Sequence, residues 1–381
     1  MTEHVVIVGG GVGGTVTANR LVKKLSREIA ADAVEITIVS DNPYHVYKPT
    51  FFYVPFGDSE PEDASRPLAD LVDRRIELVY DRVTAIDTDE MSIGLADGEA
   101  IDYDYLVVAT GANPRPEATP GLGPQQDGYH FYDGGAATEL RDTLTDFESG
   151  RLVLSVIGQP HVCPAAPVEF TMLADARLRE HDHRDDVEIV YTYPQSQLHA
   201  LDAVHDWMVP RFEERNIETH VDFMPAEVDS DASVIETADG ESLEYDLLVG
   251  IPEFSPASLI AESGLGDSWM EIDKRTLESD HAENVFGVGD VTNLPTSKAG
   301  SVAHYAAGTV VDRIAAYVRG YTPTTEFDGD AICFLEAGME EGSHIKFDYE
   351  TDPVVRDQTE FIHWAKMAYN EMYWLTARGL A

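Results

Sequence analysis

Short apolar runs recur along this chain, and between them apolar side chains return every three or four positions. Residues 5–8 (Val-Val-Ile-Val) are β-branched and too few for a buried helix, so residues 4–8 predict a buried strand. A helix to about residue 29 and a strand over 34–39 complete a βαβ unit. A second buried strand spans 103–110 and turns at Gly111. The alternation repeats with strand 152–157, a helix from about 166, strand 187–191, a helix near 206–215 and strand 245–250. Residues 284–290 then read as strand and turn, and 301–317 as a helix. Beyond Gly320 short strands precede one aromatic helix. Strands alternating with helices predict an α/β fold with parallel sheets, built as two Rossmann-like units. The first unit comprises 1–112 and 256–320, the second is inserted at 113–255, and 321–381 forms a C-terminal segment. No repeat of solenoid period and no low-complexity tract interrupts this order.

The turn after the first strand reads Gly9-Gly10-Gly11-Val12-Gly13-Gly14. Gly9, Gly11 and Gly14 have the Gly-x-Gly-x-x-Gly spacing between a strand and a helix, where backbone amides and a helix N-terminus hold a dinucleotide pyrophosphate. An acid should close the second strand and bond the ribose hydroxyls. Ser40 stands there instead and Asp41 follows, so either is the candidate. The corresponding turn of the inserted unit reads Gly158-Gln159-Pro160-His161-Val162-Cys163-Pro164. One glycine remains and two prolines lack amide hydrogens, which excludes an ordinary nicotinamide loop. A cysteine stands in its place, and the only other one is Cys333. A dinucleotide fold altered in this way points to electrons taken from a thiol or sulfide.

Charge narrows the setting. Seventy acidic residues against 26 basic ones give a net charge of −44, with only seven lysines among the basic residues. Acid spread along the whole chain reads as a halophilic surface, whose self-repulsion salt screens, and it excludes nucleic acid as a partner. No run approaches the roughly 18–20 apolar residues of a spanning helix. The first strand begins at residue 4 and leaves no room for a signal peptide. Two cysteines far apart in sequence make neither a secreted disulfide framework nor a metal site. The expected place is cytoplasmic, with any membrane contact peripheral; the oligomeric state, homo-oligomer included, stays open.

The glycine loop, the Ala109-Thr110-Gly111 turn and Val285-Phe286-Gly287-Val288-Gly289-Asp290 together resemble the glutathione-reductase-like flavoproteins built of two dinucleotide folds. That resemblance implies non-covalent FAD, with Asp290 on the ribityl chain. It also implies a following helix whose N-terminus favours the negative charge of reduced flavin. Within that group the chain resembles the sulfide:quinone oxidoreductases and the flavoprotein subunit of flavocytochrome c sulfide dehydrogenase. The residues that carry this are Cys163-Pro164-Ala165-Ala166-Pro167-Val168-Glu169, Ala331-Ile332-Cys333-Phe334-Leu335-Glu336, Tyr47-Lys48-Pro49 and Pro295-Thr296-Ser297-Lys298-Ala299-Gly300. Residues 361–379 resemble the family's membrane-facing C-terminal helix.

The resemblance implies a Cys163–Cys333 redox pair that oxidises sulfide to sulfane sulfur or polysulfide and sends two electrons to a membrane quinone. Cys163 precedes a helix whose dipole is expected to lower its pKa. Glu169, and more weakly His199 at a loop edge, are proton-relay candidates. Lys48, Pro49, Thr110, Gly111, Gly289, Lys298 and Gly300 fall in the flavin region, and Ile332, Phe361, Trp364 and Tyr369 at the quinone end. Lys366 and Arg378 are read as basic anchors of an interfacial helix. The third cysteine many relatives carry is missing from 114–133. Three rivals remain: a type II NADH dehydrogenase, a flavoprotein that reduces a cytochrome, and a flavin-bound sensor without turnover.

Overall fold

The apolar runs become the inner strands of two parallel sheets. A computed structural model describes residues 2–123 and 127–380; residues 124–126, inside the cysteine-free stretch 114–133, and the two terminal residues lie outside it. The first segment contains β1 (Glu3–Val8), α1 (Val12–Lys24), β2 (Val34–Val39), β3 (Ile76–Val79) and β4 (Tyr105–Val108). The middle contains β5 (Gly150–Val156), α2 (Ala166–Glu180), β6 (Val187–Thr192), α3 (Asp202–Glu214), β7 (Ile217–His220) and β8 (Leu247–Ile251). The chain continues with β9 (Val285–Gly287), α4 (Gly300–Val318), β10 (Ala331–Glu336), β11 (Gly342–Phe347), β12 (Val354–Val355) and α5 (Glu360–Ala377). The helix expected to reach residue 29 stops at Lys24; Leu25 is fully buried, and a short helix Ser26–Ala30 follows.

The first sheet runs β9-β4-β1-β2-β3, all parallel, so residues 285–287 pair with residues 106–108 across the intervening chain. The second runs β7-β6-β5-β8, also parallel. Strand order reverses beside β1 in one sheet and beside β5 in the other. A crevice forms at the carboxyl ends of strands at such a point. An antiparallel sheet β10-β11-β12 and α5 complete the C-terminal part. One core surrounds the first sheet with α1 and α4, and another the second sheet with α2; Cys333 packs against both.

The two crevices differ. At the second, a side chain on Gly158 would start 2.1 Å from the Glu253 amide nitrogen, and the Phe254 amide donates to the Pro160 carbonyl at 2.8 Å. Gly158 therefore serves close packing of the chain on itself, and its turn lacks the open space found on the Cβ side of Gly11.

Candidate active site

The first crevice is built to receive something. Gly9 has φ +113°, and a Cβ there would meet the Ala109 carbonyl oxygen at 2.4 Å; one on Gly14 would meet the Gly9 carbonyl oxygen at 1.9 Å. These two positions admit only glycine, because they let β1, β4 and α1 touch through backbone. Gly11 is the opposite case: nothing lies within 4 Å of where its Cβ would be. No side chain caps α1, and among the described residues the Gly11 amide donates to no protein acceptor. Beside it the Thr110 hydroxyl is buried without a partner. Open space, an unsatisfied amide, an orphaned hydroxyl and a helix N-terminus fit the pyrophosphate of a dinucleotide.

The ribose candidates come out unequal. Ser40 is buried beside the loop, but its hydroxyl donates to the Asn42 carbonyl at 2.9 Å. The Asp41 carboxylate is 57% exposed and faces Arg82 at 3.5 Å. Asp41 is thus a surface residue here, and no buried carboxylate stands at the end of β2.

Asp290 follows Gly289 at the end of β9. Burial raises its pKa, while the charges of Lys48 and Lys298 pull it back. Lys48 opens a 3-10 helix, Lys48–Phe56, whose second residue, Pro49, needs no amide hydrogen; its ammonium donates to the Ala112 carbonyl at 3.0 Å. Lys298 donates to the Asp290 and Thr292 carbonyls at 3.1 and 2.7 Å and lies 3.5 Å from the Trp269 ring centre. Burial lowers its pKa to about 8, against the opposing pull of Asp290. Gly300, at the first position of α4, has open space on its Cβ side, and α4 too has no side-chain cap.

The loop 295–300 touches both cysteine segments. Its Lys298 carbonyl accepts the Cys163 amide at 2.9 Å, its Ser297 hydroxyl lies 3.9 Å from the Cys333 sulfur, and the Ser301 hydroxyl just after it donates to the Ile332 carbonyl at 2.8 Å. Both cysteines are half-buried free thiols. Cys163 has φ +49°, a left-handed conformation that costs a non-glycine residue roughly 1–2 kcal/mol. The expectation of a lowered Cys163 pKa fails. Burial raises it, and the neighbouring Glu169 and Cys333 raise it further. The residue sits before the first turn of α2, where a helix dipole fades quickly, and low polarity outweighs it. Cys333 is pushed up to about 11 by burial, with the Ser297 hydroxyl acting in the other direction.

Glu169 is a buried carboxylate facing the thiols. It accepts the Glu336 amide at 2.8 Å and the ammonium of Lys366. Lys366 also faces Glu336 at 3.5 Å, Tyr53 donates to Glu336 at 3.3 Å, and His363 meets the other Glu336 oxygen at 3.0 Å. Burial raises the Glu169 pKa against the pull of Lys366. Burial works against the Lys366 charge too, but Glu169, Tyr53 and Glu336 together hold its proton more firmly than usual. Lys366 is therefore not the interfacial anchor expected from sequence. It shares the inward side of α5 with Tyr373 and Ala377, and that spacing of seven and then four residues was the available signal. Three of the chain's seven lysines, Lys48, Lys298 and Lys366, surround this site.

His199, the weaker relay candidate, lies in the interior. It is buried, its Nδ1 accepts the Leu201 amide at 3.0 Å, and its Nε2 has no partner. Burial, helped by His161, lowers its pKa to about 4, so it is neutral. At the other end, Phe361 and Trp364 are 77% and 59% exposed, and Tyr369, Met372 and Leu375 are exposed with them. Tyr369 also turns its ring towards Phe334, the neighbour of Cys333, with centres 5.6 Å apart. Ile332 is half-buried on the same strand. Among the described residues no helix is long and apolar enough to cross a membrane.

Residues 3–309 match the pyridine nucleotide-disulphide oxidoreductase family. The chain belongs to that family. Within it, the chain is 27% identical over 417 residues to the sulfide-quinone reductase of Aquifex aeolicus (strain VF5), covering 100% of this chain and 92% of that protein. It is 26% identical over 365 residues to the mitochondrial sulfide:quinone oxidoreductase of Mus musculus, covering 92% and 79%. The solved structure of the sulfide:quinone oxidoreductase from Aquifex aeolicus superposes with a TM-score of 0.87 at 24% identity, over 99% of this chain and 92% of that one. The protein is an oxidoreductase of that family, similar along nearly its whole length to sulfide:quinone oxidoreductases, and its fold is the two-dinucleotide-domain flavoprotein fold.

Proposed function

We propose that this oxidoreductase oxidises sulfide through a Cys163–Cys333 pair and passes two electrons by way of FAD to a membrane quinone. The observation that carries the reading is that one loop holds both cysteine segments, Cys163 through the Lys298 carbonyl and Cys333 beside Ser297, next to the Asp290 turn. Bound FAD would supply the two-electron acceptor that thiols and quinone share. The Gly9–Gly14 loop, Thr110 and Gly111 would hold its pyrophosphate end, with Ser40 nearest the ribose. Asp290, Lys48, Lys298 and Gly300 would hold its flavin end.

Hydrosulfide attacks the disulfide form of the pair: one S–S bond forms, the inter-cysteine bond breaks, and one thiolate leaves. The thiol of lower pKa leaves faster. The Ser297 hydroxyl beside the Cys333 sulfur favours the thiolate there, so Cys333 leaves and the persulfide forms on Cys163. A second hydrosulfide removes the outer sulfur as hydrodisulfide and leaves one thiol and one thiolate. Re-forming the disulfide releases two electrons and the thiol's proton. Glu169 receives that proton beside the Lys366 ammonium, and Glu336, Tyr53 and His363 lead it towards α5. His199, neutral and unpartnered, is the weaker relay. Phe334 and Tyr369 offer an aromatic slot beside Cys333 for the quinone ring. Ile332 flanks it, and Phe361 and Trp364 form its membrane approach.

This reading keeps 1–112 and 256–320 as the flavin-binding part, 113–255 as the second unit and 321–381 as the interface part. The outward apolar face of α5 sets the protein against the inner face of the cell membrane, and the acidic surface suits high salt. The close-packed turn at Gly158, with one glycine and two prolines, counts against NADH as donor. Mixing the protein anaerobically with sulfide should bleach the flavin, and a quinone analogue should restore its colour. Cys163→Ser and Cys333→Ser should keep the flavin and lose the bleaching. Bleaching at wild-type rate in both variants would end this mechanism.

A further inference from the structure

A buried polar chain joins the C-terminal helix to the underside of the glycine loop. His45, in the strand Tyr44–Val46, has no exposed surface. Its Nδ1 lies 2.8 Å from the Gly10 carbonyl oxygen, which also accepts the Thr15 hydroxyl at 3.0 Å. Its Nε2 lies 2.7 Å from the Tyr373 hydroxyl of α5. Burial keeps the ring neutral at physiological pH, with a pKa of about 4. The Thr15 hydroxyl also lies 3.0 Å from Nδ1, but a lone pair on Nδ1 would repel the Gly10 carbonyl oxygen at 2.8 Å. Nδ1 therefore carries the one proton of the neutral ring and donates to Gly10, and Nε2 accepts from Tyr373. The Tyr373 ring stacks on Tyr47 with centres 3.8 Å apart, and the Tyr47 hydroxyl donates to Asn370 at 2.9 Å. Asn19 of α1 donates to the Ala377 carbonyl at 2.9 Å. Residues 370, 373 and 377 thus fasten one side of α5 to the flavin-side core.

The geometry of the peptide unit gives this chain a consequence. Across a trans peptide the carbonyl of Gly10 and the amide N–H of Gly11 point in opposite directions. Pinning the Gly10 carbonyl inward aims the Gly11 amide outward, into the cradle where it has no protein acceptor. We infer that His45 and Tyr373 are positioning residues for the dinucleotide pyrophosphate, so that seating of α5 and affinity for FAD are thermodynamically linked. The inference rests on the flavin reading above, but not on what covers the outer face of α5. Linkage is reciprocal: if α5 strengthens FAD binding, FAD must strengthen the seating of α5.

Tyr373→Phe keeps the stack on Tyr47 and removes only the hydroxyl, leaving His45 Nε2 buried without a donor. Titrating FAD into the apoprotein by flavin fluorescence should show a dissociation constant about tenfold higher, equivalent to about 1.4 kcal/mol. His45→Asn, which retains a donor for Gly10, should bind FAD more tightly than His45→Leu. The exposed neighbour Glu371→Gln should match the wild type. In the full-length wild type, adding FAD should slow amide hydrogen exchange over residues 369–377. A Tyr373→Phe constant within twofold of wild type, or exchange over 369–377 that FAD leaves unchanged, would overturn the linkage. A wild-type protein that binds no FAD would overturn the flavin reading itself.

Discussion

Lys366→Met puts the buried charge cluster to its severest test. Lys366 is the ammonium between two carboxylates that are themselves almost inaccessible, touching Glu169 directly and Glu336 at 3.5 Å. At an effective dielectric constant of about 20, the attraction to Glu336 alone is about 5 kcal/mol before desolvation is counted. Breaking a buried pair by removing one partner costs about 3–5 kcal/mol net, because the remaining charge stays in a medium that does not solvate it. The variant should therefore lose about that much stability at pH 8.

The loss should also depend on pH, with a definite sign. Burial already raises the Glu169 pKa. Without the ammonium it rises further above the unfolded value of about 4.3. A group whose folded pKa is raised gives its full stability below the unfolded pKa and loses it as pH climbs through the folded one. The deficit of Lys366→Met against wild type should thus be small near pH 4.5 and grow towards pH 8. Urea unfolding at both pH values, in high salt, measures it; salt screens surface pairs but scarcely reaches this one. Adding Glu169→Gln should recover part of the loss at pH 8, by removing one of the stranded charges. An equal deficit at both pH values, or one below about 1 kcal/mol at pH 8, would refute the view of Lys366 as an internal counter-ion.

Gly14→Ala should abolish flavin binding and lower expression, because its Cβ would sit 1.9 Å from the Gly9 carbonyl oxygen, whereas Gly11→Ala should fold and weaken only the flavin, as flavin content and melting curves will show. NADH and NADPH should not bleach the flavin within seconds in anaerobic titration; stoichiometric bleaching would mean that the Gly158 crevice opens. Truncation after Thr359 cannot isolate the membrane end, since it removes Lys366 and Tyr373 from the interior. Replacing Phe361, Trp364, Met372 and Leu375 by Ser should instead reduce liposome binding while sulfide still bleaches the flavin at the wild-type rate. Acid precipitation should leave free FAD in the supernatant, and flavin retained in the pellet would contradict non-covalent binding.

The sequence alone determined the elements and the tight glycine turn, because both depend on neighbours in the chain. Residues 34–39 form the strand their apolar run predicts, and α2 begins at the expected Ala166. Gly9, Gly11 and Gly14 could be recognised since backbone clearance in a tight turn is a local demand. Cys163 and Cys333 could be put forward from sequence because there are no others to choose from and each stands in a family-like segment. Tertiary structure decided what depends on environment. Lys366 reads as a surface anchor until α5 is laid down and its inward side meets Glu169 and Glu336. The pKa of Cys163 follows burial that no window of residues reveals, and it reversed the sign expected from the helix dipole. Asp41 looked as good as Ser40 until the chain turned its carboxylate out to Arg82. His45 carried no local signal at all: its partners are 35 and 328 residues away, and only the folded chain brings them to one imidazole ring.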